Sequence, residues 1–250
     1  MKAIAIIPAR YASTRFPAKP LVKLGGKPII QRVYEQVAKC VEMTYVATDD
    51  ERIYNAVKEF GGNVVMTRSE HRCGTDRCCE ALEKIGCDVD IVINIQGDEP
   101  FVQAEHIELL KQGFKGEETD IVTLATPFAE CDGIEALENP NSPKVVFDND
   151  MYALYFSRSV IPFIRGIERK EWQKHHTFYK HIGMYAFRPK VLKEITSLPQ
   201  TPLEKLESLE QLRWIESGYK VRMGITTVET VGIDTPEDLQ KAELFLSQKL

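Results

Sequence analysis

Ile6-Ile7-Pro8-Ala9-Arg10-Tyr11-Ala12-Ser13-Thr14-Arg15-Phe16-Pro17-Ala18-Lys19-Pro20-Leu21 is the stretch whose reading decides this fold. The apolar run over residues 3–7 has the pattern of a strand covered on both faces. Pro8 stops it, and a loop follows with three cations, Arg10, Arg15 and Lys19. A buried strand that runs straight into a basic, proline-punctuated loop predicts an anion site at the edge of a sheet.

Working outward, Gly25-Gly26 predicts a turn and Pro28 the opening of a helix with Ile29, Ile30, Val33 and Val37 on one face. A short strand is expected over 45–47. Asp49 or Asp50 is expected to cap the next helix, which Gly61-Gly62 stops. A strand over 64–66, a helix over 75–85 and a strong strand over 90–95 follow, the last ending in Gln96-Gly97-Asp98-Glu99-Pro100. A helix over 104–112 and a strand over 121–125 complete the alternation. Strand and helix alternating at short spacing predict an α/β, three-layer, mostly parallel Rossmann-like sheet.

The regularity breaks near Pro127. Residues 144–147 and 153–157 read as an antiparallel hairpin around Asp148-Asn149-Asp150. A polar, aromatic-rich segment spans 165–179, then a strand over 182–187, helices over 189–196 and 202–217, a strand over 221–225 and a last amphipathic helix. The expectation is one domain over 1–250. Its core is 1–127 with 220–250, and 128–219 form a smaller mixed or antiparallel lobe.

Composition narrows the function. A hydrophobic content of 43% and a charged content of 28% are those of a globular chain. A net charge of -5 argues against a nucleic-acid backbone as partner, which needs a broad basic field. The N-terminal cations are therefore local and suit one small anion. The chain runs from Met1 into a strand, and no apolar run is long enough to span a bilayer, so a cytoplasmic, reduced protein is expected. The cluster His71-x-Cys73-x4-Cys78-Cys79 raises zinc, but structural zinc sites pair ligands as CxxC or HxxxH. The cysteines read instead as buried thiols on a helix.

In open α/β sheets, ligands bind beyond the carboxyl ends of the strands. The Pro8–Leu21 and Gln96–Pro100 stretches sit at such ends, and Gly232-Ile233-Asp234-Thr235-Pro236-Glu237-Asp238 is a third candidate. Arg10, Lys19 and Asp98 are thus expected to share a crevice. Arginine and lysine grip phosphate oxygens. A carboxylate meets phosphate favourably only through a cation, and Mg2+ held by one or two carboxylates plus phosphate is the usual arrangement. Asp234 is the best second carboxylate. The competing reading makes Asp98 a cap for the helix after Pro100, and Asp234 or Thr235 a cap for the last helix. No GxxxxGK[ST], GxGxxG or GxSxG motif occurs where it would be needed.

The first loop resembles the N-terminal signature of the sugar-acid cytidylyltransferases, within the nucleotidyltransferase fold. Cys73-Gly74-Thr75-Asp76-Arg77, Gln96–Pro100, Phe156-Ser157-Arg158-Ser159-Val160-Ile161-Pro162, His181-Ile182-Gly183-Met184-Tyr185, Leu209-Glu210-Gln211-Leu212-Arg213 and Gly232–Asp238 resemble, in order, the later motifs of the branch acting on 3-deoxy-manno-octulosonate (Kdo). The resemblance implies transfer of a cytidylyl group from CTP to Kdo, with Mg2+, giving CMP-Kdo for lipopolysaccharide biosynthesis. It assigns catalysis to Arg10, Lys19, Asp98 and Asp234, the two aspartates as metal ligands. It assigns the nucleotide to Pro8, Ala9, Arg10, Arg15, Lys19, Gly74, Thr75 and Arg77. It assigns the sugar to Gln96, Arg165, His181, Tyr185, Glu210 and Gln211, and it implies a homodimer, with the lobe binding sugar and dimerising.

Read without the resemblance, Tyr185 is a core residue of a strand and Glu210 a solvated helix face. The 165–179 segment, with Trp172, His175 and His176, is the part the resemblance covers least, and it suits a mobile substrate loop or a dimer contact. Two alternatives stand beside the Kdo reading: a cytidylyltransferase for another sugar acid such as sialic acid, and a silent nucleotide- or sugar-binding regulator. The regulator would be expected to lack Asp98, Asp234 or Lys19, and all three are present.

Overall fold

Ile4, Ala5, Ile6 and Ile7 have no exposed surface. They form the middle of β1 (Ala3–Ala9) in a computed structural model that describes residues 1–12, 16–115, 119–228, 232–233 and 235–248. Each of the three isoleucines contributes roughly 1.5–3 kcal/mol by leaving water. The strand runs two residues further than its apolar run, through Pro8 and Ala9, which pair with Ala47 and Thr48. The neighbour on the other side pairs only as far as Ile6 with Asn94, so the missing Pro8 N–H breaks no ladder there.

The chain divides into two compact units, Met1–Ile107 with Arg188–Thr196 and Glu229–Leu250, and Glu108–Phe187 with Ser197–Val228. In the first, β1 is followed by a two-stranded hairpin, β2 (Lys23–Leu24) and β3 (Lys27–Pro28), turned by Gly25 and Gly26 at φ +52° and +83°. Then come α1 (Ile29–Ala38), β4 (Met43–Thr48), α2 (Glu51–Glu59), β5 (Val64–Met66), α3 (Gly74–Ile85) and β6 (Ile91–Asn94). The order β6-β1-β4-β5 is parallel throughout. The expected α/β alternation is present.

Its helices begin where the local chemistry says. Asp50 caps α2 by accepting the Arg52 N–H at 2.9 Å, and the Cys73 thiol caps α3 by accepting the Asp76 N–H at 3.4 Å. At the last helix (Pro236–Gln248), the Thr235 hydroxyl accepts the Asp238 N–H at 3.2 Å. The Asp238 carboxylate accepts the Thr235 N–H at 3.0 Å, which completes a capping box.

The second unit is largely antiparallel. β7 (Ile121–Pro127) pairs antiparallel with β10 (Tyr179–Phe187) and parallel with β11 (Val221–Ile225). β8 (Lys144–Phe147) and β9 (Ala153–Ser157) form the expected hairpin, and β8 also pairs with β10. Trp172, within the segment read as a substrate loop or a dimer contact, is 1% exposed and packs with Leu137 and Phe178 in a small core. One expectation is corrected here. The helix expected over 202–217 is two helices, Pro202–Glu207 and Glu210–Glu216, broken at Ser208 with φ +50°. The guanidinium of Arg158 accounts for the break, because it donates to the carbonyls of Glu207 (2.6 Å) and Ser208 (3.2 Å), which a continuous helix would use itself.

Candidate active site

Chain order in the first unit runs from β1 outward to β4 and β5, then returns to the other side of β1 for β6. The direction of winding reverses between β1 and β6, and beyond the carboxyl ends of these two strands lies a cavity. Pro8, Ala9 and Arg10 line it from the end of β1, and Gln96, Gly97 and Asp98 from the end of β6. Lys19 and Pro20 close one side; His71, Arg72, Cys73, Gly74 and Arg77 close another. The two strand ends touch only because glycine stands at 97: a Cβ there would lie 3.0 Å from the Pro8 carbonyl oxygen. Gly74 is similarly tight, with a Cβ 3.0 Å from Pro8 Cγ.

The three residues expected to share a crevice, Arg10, Lys19 and Asp98, meet in this cavity. Lys19 Nζ donates to Asp98 Oδ2 at 2.6 Å, with the two side chains 12% and 30% exposed. Asp98 therefore spends its carboxylate on a cation and not on a helix cap, while its backbone carbonyl accepts the Ile233 N–H at 3.0 Å. Arg10 is exposed and makes no ion pair among the described residues. Arg15 and Asp234 lie outside the described residues.

On α3, Arg77 lines the cavity but is buried and engaged. It donates to Asp49 at 3.0 Å, to the Thr67 hydroxyl at 2.5 Å and to the Arg68 carbonyl at 3.4 Å. Thr75 is 2% exposed and is not among the lining residues. Behind the wall, Glu80 accepts from the His71 ring Nε2, the Arg68 N–H at 3.0 Å and Lys84 at 2.8 Å. Burial alone would raise the Glu80 carboxyl, but the bonds from Lys84, Arg68 and His71 outweigh it and bring it down to about 2. The cysteines do not gather around His71. Cys73 caps the helix, Cys78 donates toward the Ile6 carbonyl at 3.9 Å, and Cys78 and Cys79 are buried thiols on α3.

In the second unit, three expected residues are joined by hydrogen bonds. Tyr185 donates to Gln211 Oε1 at 3.4 Å, and Gln211 Nε2 lies 3.5 Å from His181 Nδ1. His181 Nε2 is 3.0 Å from the Thr123 hydroxyl, which donates to the Met184 carbonyl at 2.8 Å. One hydroxyl proton and one amide orientation give this chain a single sense: His181 carries its proton on Nε2 and accepts on Nδ1. Burial pushes the His181 pKa down to about 3, so the ring is neutral. Glu210 pairs with Arg213 at 3.0 Å. Arg165 is exposed and makes no hydrogen bond or ion pair among the described residues.

The family model described as Cytidylyltransferase matches residues 4–244. A protein from Phocaeicola vulgatus named 3-deoxy-manno-octulosonate cytidylyltransferase is 64% identical over 249 residues, covering 100% of this chain and 99% of that one. Its namesake from Bacteroides thetaiotaomicron is 61% identical, covering 100% of both. The chain belongs to the 3-deoxy-manno-octulosonate cytidylyltransferase family. A solved structure of this family, CMP:2-keto-3-deoxy-manno-octonic acid synthetase complexed with CTP, is 40% identical, covers 100% of both chains and superposes with a TM-score of 0.90.

Within a cytidylyltransferase, a cavity lined by Arg10, Lys19 and Arg72 is suited to a triphosphate. The sequence reading missed Arg72 and the cavity side of His71. Their one local signal is position: they immediately precede the Cys73-Gly74-Thr75 helix start, where a loop turns toward the strand ends.

Proposed function

We propose that this chain joins CTP to Kdo, forming CMP-Kdo and pyrophosphate. The chain is a nucleotidyltransferase. The observation that carries the reading is the convergence of Arg10, Lys19 and Asp98 at the β1–β6 switch point of a chain 64% identical to a 3-deoxy-manno-octulosonate cytidylyltransferase. Neither the sialic acid reading nor the silent regulator is favoured by these relatives.

The reaction forms a bond from the sugar's anomeric hydroxyl oxygen to the α-phosphorus and breaks the bond to the β-phosphate; the hydroxyl proton passes to solvent. Such transfers need positioning and charge neutralisation more than covalent help from the protein. Arg10 and Lys19 would bind the β- and γ-phosphates and hold the departing pyrophosphate. Pro8, Ala9, Arg15, Gly74, Thr75 and Arg77 would frame the nucleotide. Gln96, Arg165, His181, Tyr185, Glu210 and Gln211 would bind the sugar acid, with Gln211 oriented by its neighbours on both sides.

We propose Mg2+ as the cofactor, with Asp98 and Asp234 as the residues that would hold it. The donor chemistry fits: Asp98 is a partly exposed carboxylate in a cationic cavity, and only its Oδ2 is bonded to Lys19. When bound, the ion would draw charge from the α-phosphate and acidify the attacking hydroxyl. We further propose a homodimer working in the cytoplasm, where CTP is found. The exposed Phe163, Leu154 and Leu206 of the second unit offer apolar surface for such pairing. The domain plan proposed from the sequence, a nucleotide core with a lobe for sugar and dimerisation, goes with it. The test is pyrophosphate release from CTP, UTP and ATP with Kdo, sialic acid and other sugar acids, with and without Mg2+. Release confined to CTP with Kdo and Mg2+ is expected; preference for sialic acid would overturn the substrate assignment.

A further inference from the structure

His71 lines the cavity, and nothing in the triphosphate chemistry uses it. Its side chain is 9% exposed, and Nε2 is held by Glu80. Nδ1 makes no hydrogen bond among the described residues. Glu80 is not part of the lining; it stands behind His71 on α3, 11% exposed, anchored by Lys84 and by the Arg68 N–H.

This arrangement determines what the ring offers. A carboxylate saturated by Lys84 and Arg68 can only accept from His71, so the imidazole proton sits on Nε2. A ring that carries only that proton presents Nδ1 as a lone-pair acceptor. A histidine whose far nitrogen is pinned by a buried carboxylate is the arrangement that second-layer partners use to fix tautomer and orientation. Beside His71 the wall carries the cations Arg72 and Arg77. An acceptor set among cations does not serve phosphate. It serves a donor on the ligand.

We propose that His71 is a nucleotide-recognition residue, oriented by Glu80 so that Nδ1 accepts a hydrogen bond from an N–H or O–H of the bound nucleotide. The inference rests on the reading of this cavity as the CTP site. A cytidine nucleotide has two such donors, the 4-amino group of the base and the ribose hydroxyls. Loss of an acceptor facing a buried donor has the scale of roughly 1–3 kcal/mol, or about 5- to 150-fold in affinity.

The test measures binding of CTP, UTP and dCTP by calorimetry to wild type, His71→Phe and His71→Gln, with turnover followed in parallel. His71→Phe should weaken CTP by at least fivefold in Kd while kcat at saturation changes little, and His71→Gln, which keeps an acceptor, should recover part of the loss. If the 4-amino group is the donor, the preference for CTP over UTP collapses in His71→Phe. If the 2′-hydroxyl is the donor, the preference for CTP over dCTP collapses. In wild type, imidazole nitrogen NMR should show the Nε2–H form and a displaced Nδ1 resonance on CTP addition, which tests the idea even if His71→Phe fails to fold. Unchanged CTP affinity in a folded His71→Phe, or an Nδ1 resonance indifferent to CTP, would overturn the proposal. Wild type that neither binds CTP nor releases pyrophosphate would instead overturn the function assigned to the cavity.

Discussion

Replacing Asp98 with Asn removes one charge from the cavity and almost no volume. The backbone carbonyl of residue 98 would still accept the Ile233 N–H, so the neighbouring turn keeps its anchor. The amide oxygen can still accept from Lys19, now without opposite charge. The Lys19–Asp98 pair is partly exposed, 12% and 30%, so its share of stability is discounted to about 1 kcal/mol or less. For a 250-residue chain that is a shift of about 2–4 °C in Tm or less. The chemical cost is different in scale. Loss of a ligand of the proposed Mg2+ would remove stabilisation felt mainly in the transition state. A 100-fold or greater fall in kcat, about 2.7 kcal/mol, is the expected result. The KM for CTP should move less, since Arg10 and Lys19 remain. The assay is pyrophosphate release at saturating CTP and Kdo across a Mg2+ titration, with Tm as the folding control. A folded variant with kcat within about threefold of wild type would refute the role of this carboxylate.

Acid sensitivity should come partly from His181. Its folded pKa is pushed down from 6.5 to about 3, so the unfolded chain takes up a proton that the folded chain refuses; stability is full above about 6.5 and falls as pH drops toward 3. The slope should approach 1.4 kcal/mol per pH unit between pH 5 and 6, and His181→Gln should flatten it in urea titrations; an unchanged slope would contradict the buried neutral ring. Trp172→Ala should cost about 3–5 kcal/mol, because the indole is 1% exposed and its Nε1 donates to the Ile167 carbonyl at 3.0 Å. A loss below about 1 kcal/mol would mean that this region is not packed. Ala18 holds φ +58°, a region that costs a β-carbon, so Ala18→Gly should leave Tm unchanged or raise it by a few degrees; a clear fall would count against that backbone.

Much of the first unit was legible along the chain. The apolar run before Pro8, the Gly25-Gly26 turn and the capping choice at Asp50 are local statements, settled within a few residues, and each matches the structure. The β10 strand was anticipated only over 182–187, because the added residues 179–181 carry no alternating pattern and are recruited by pairing with β7 and β8. The burial of Trp172 was not legible for a related reason. Its partners, Leu137 and Phe178, come from stretches with no shared periodicity. The helix broken at Ser208 shows the same limit, since Arg158, the residue that ends it, lies 50 residues upstream.

The sequence by itself determined the alternation of strand and helix, the basic loop after the first strand and the carboxylate after the last strand of the first unit. It also determined the family, through the order of its motifs. These depend on neighbours in the chain, and composition and spacing record them. Only the tertiary structure decided that β1 and β6 lie side by side, which brings Lys19 within 2.6 Å of Asp98 although 79 residues separate them. It likewise decided that His71 leans on Glu80 and lines the same cavity, and that Gln211 is held between Tyr185 and His181. Hydrogen bonds between distant side chains need angstrom-level placement, and strand pairing supplies that placement.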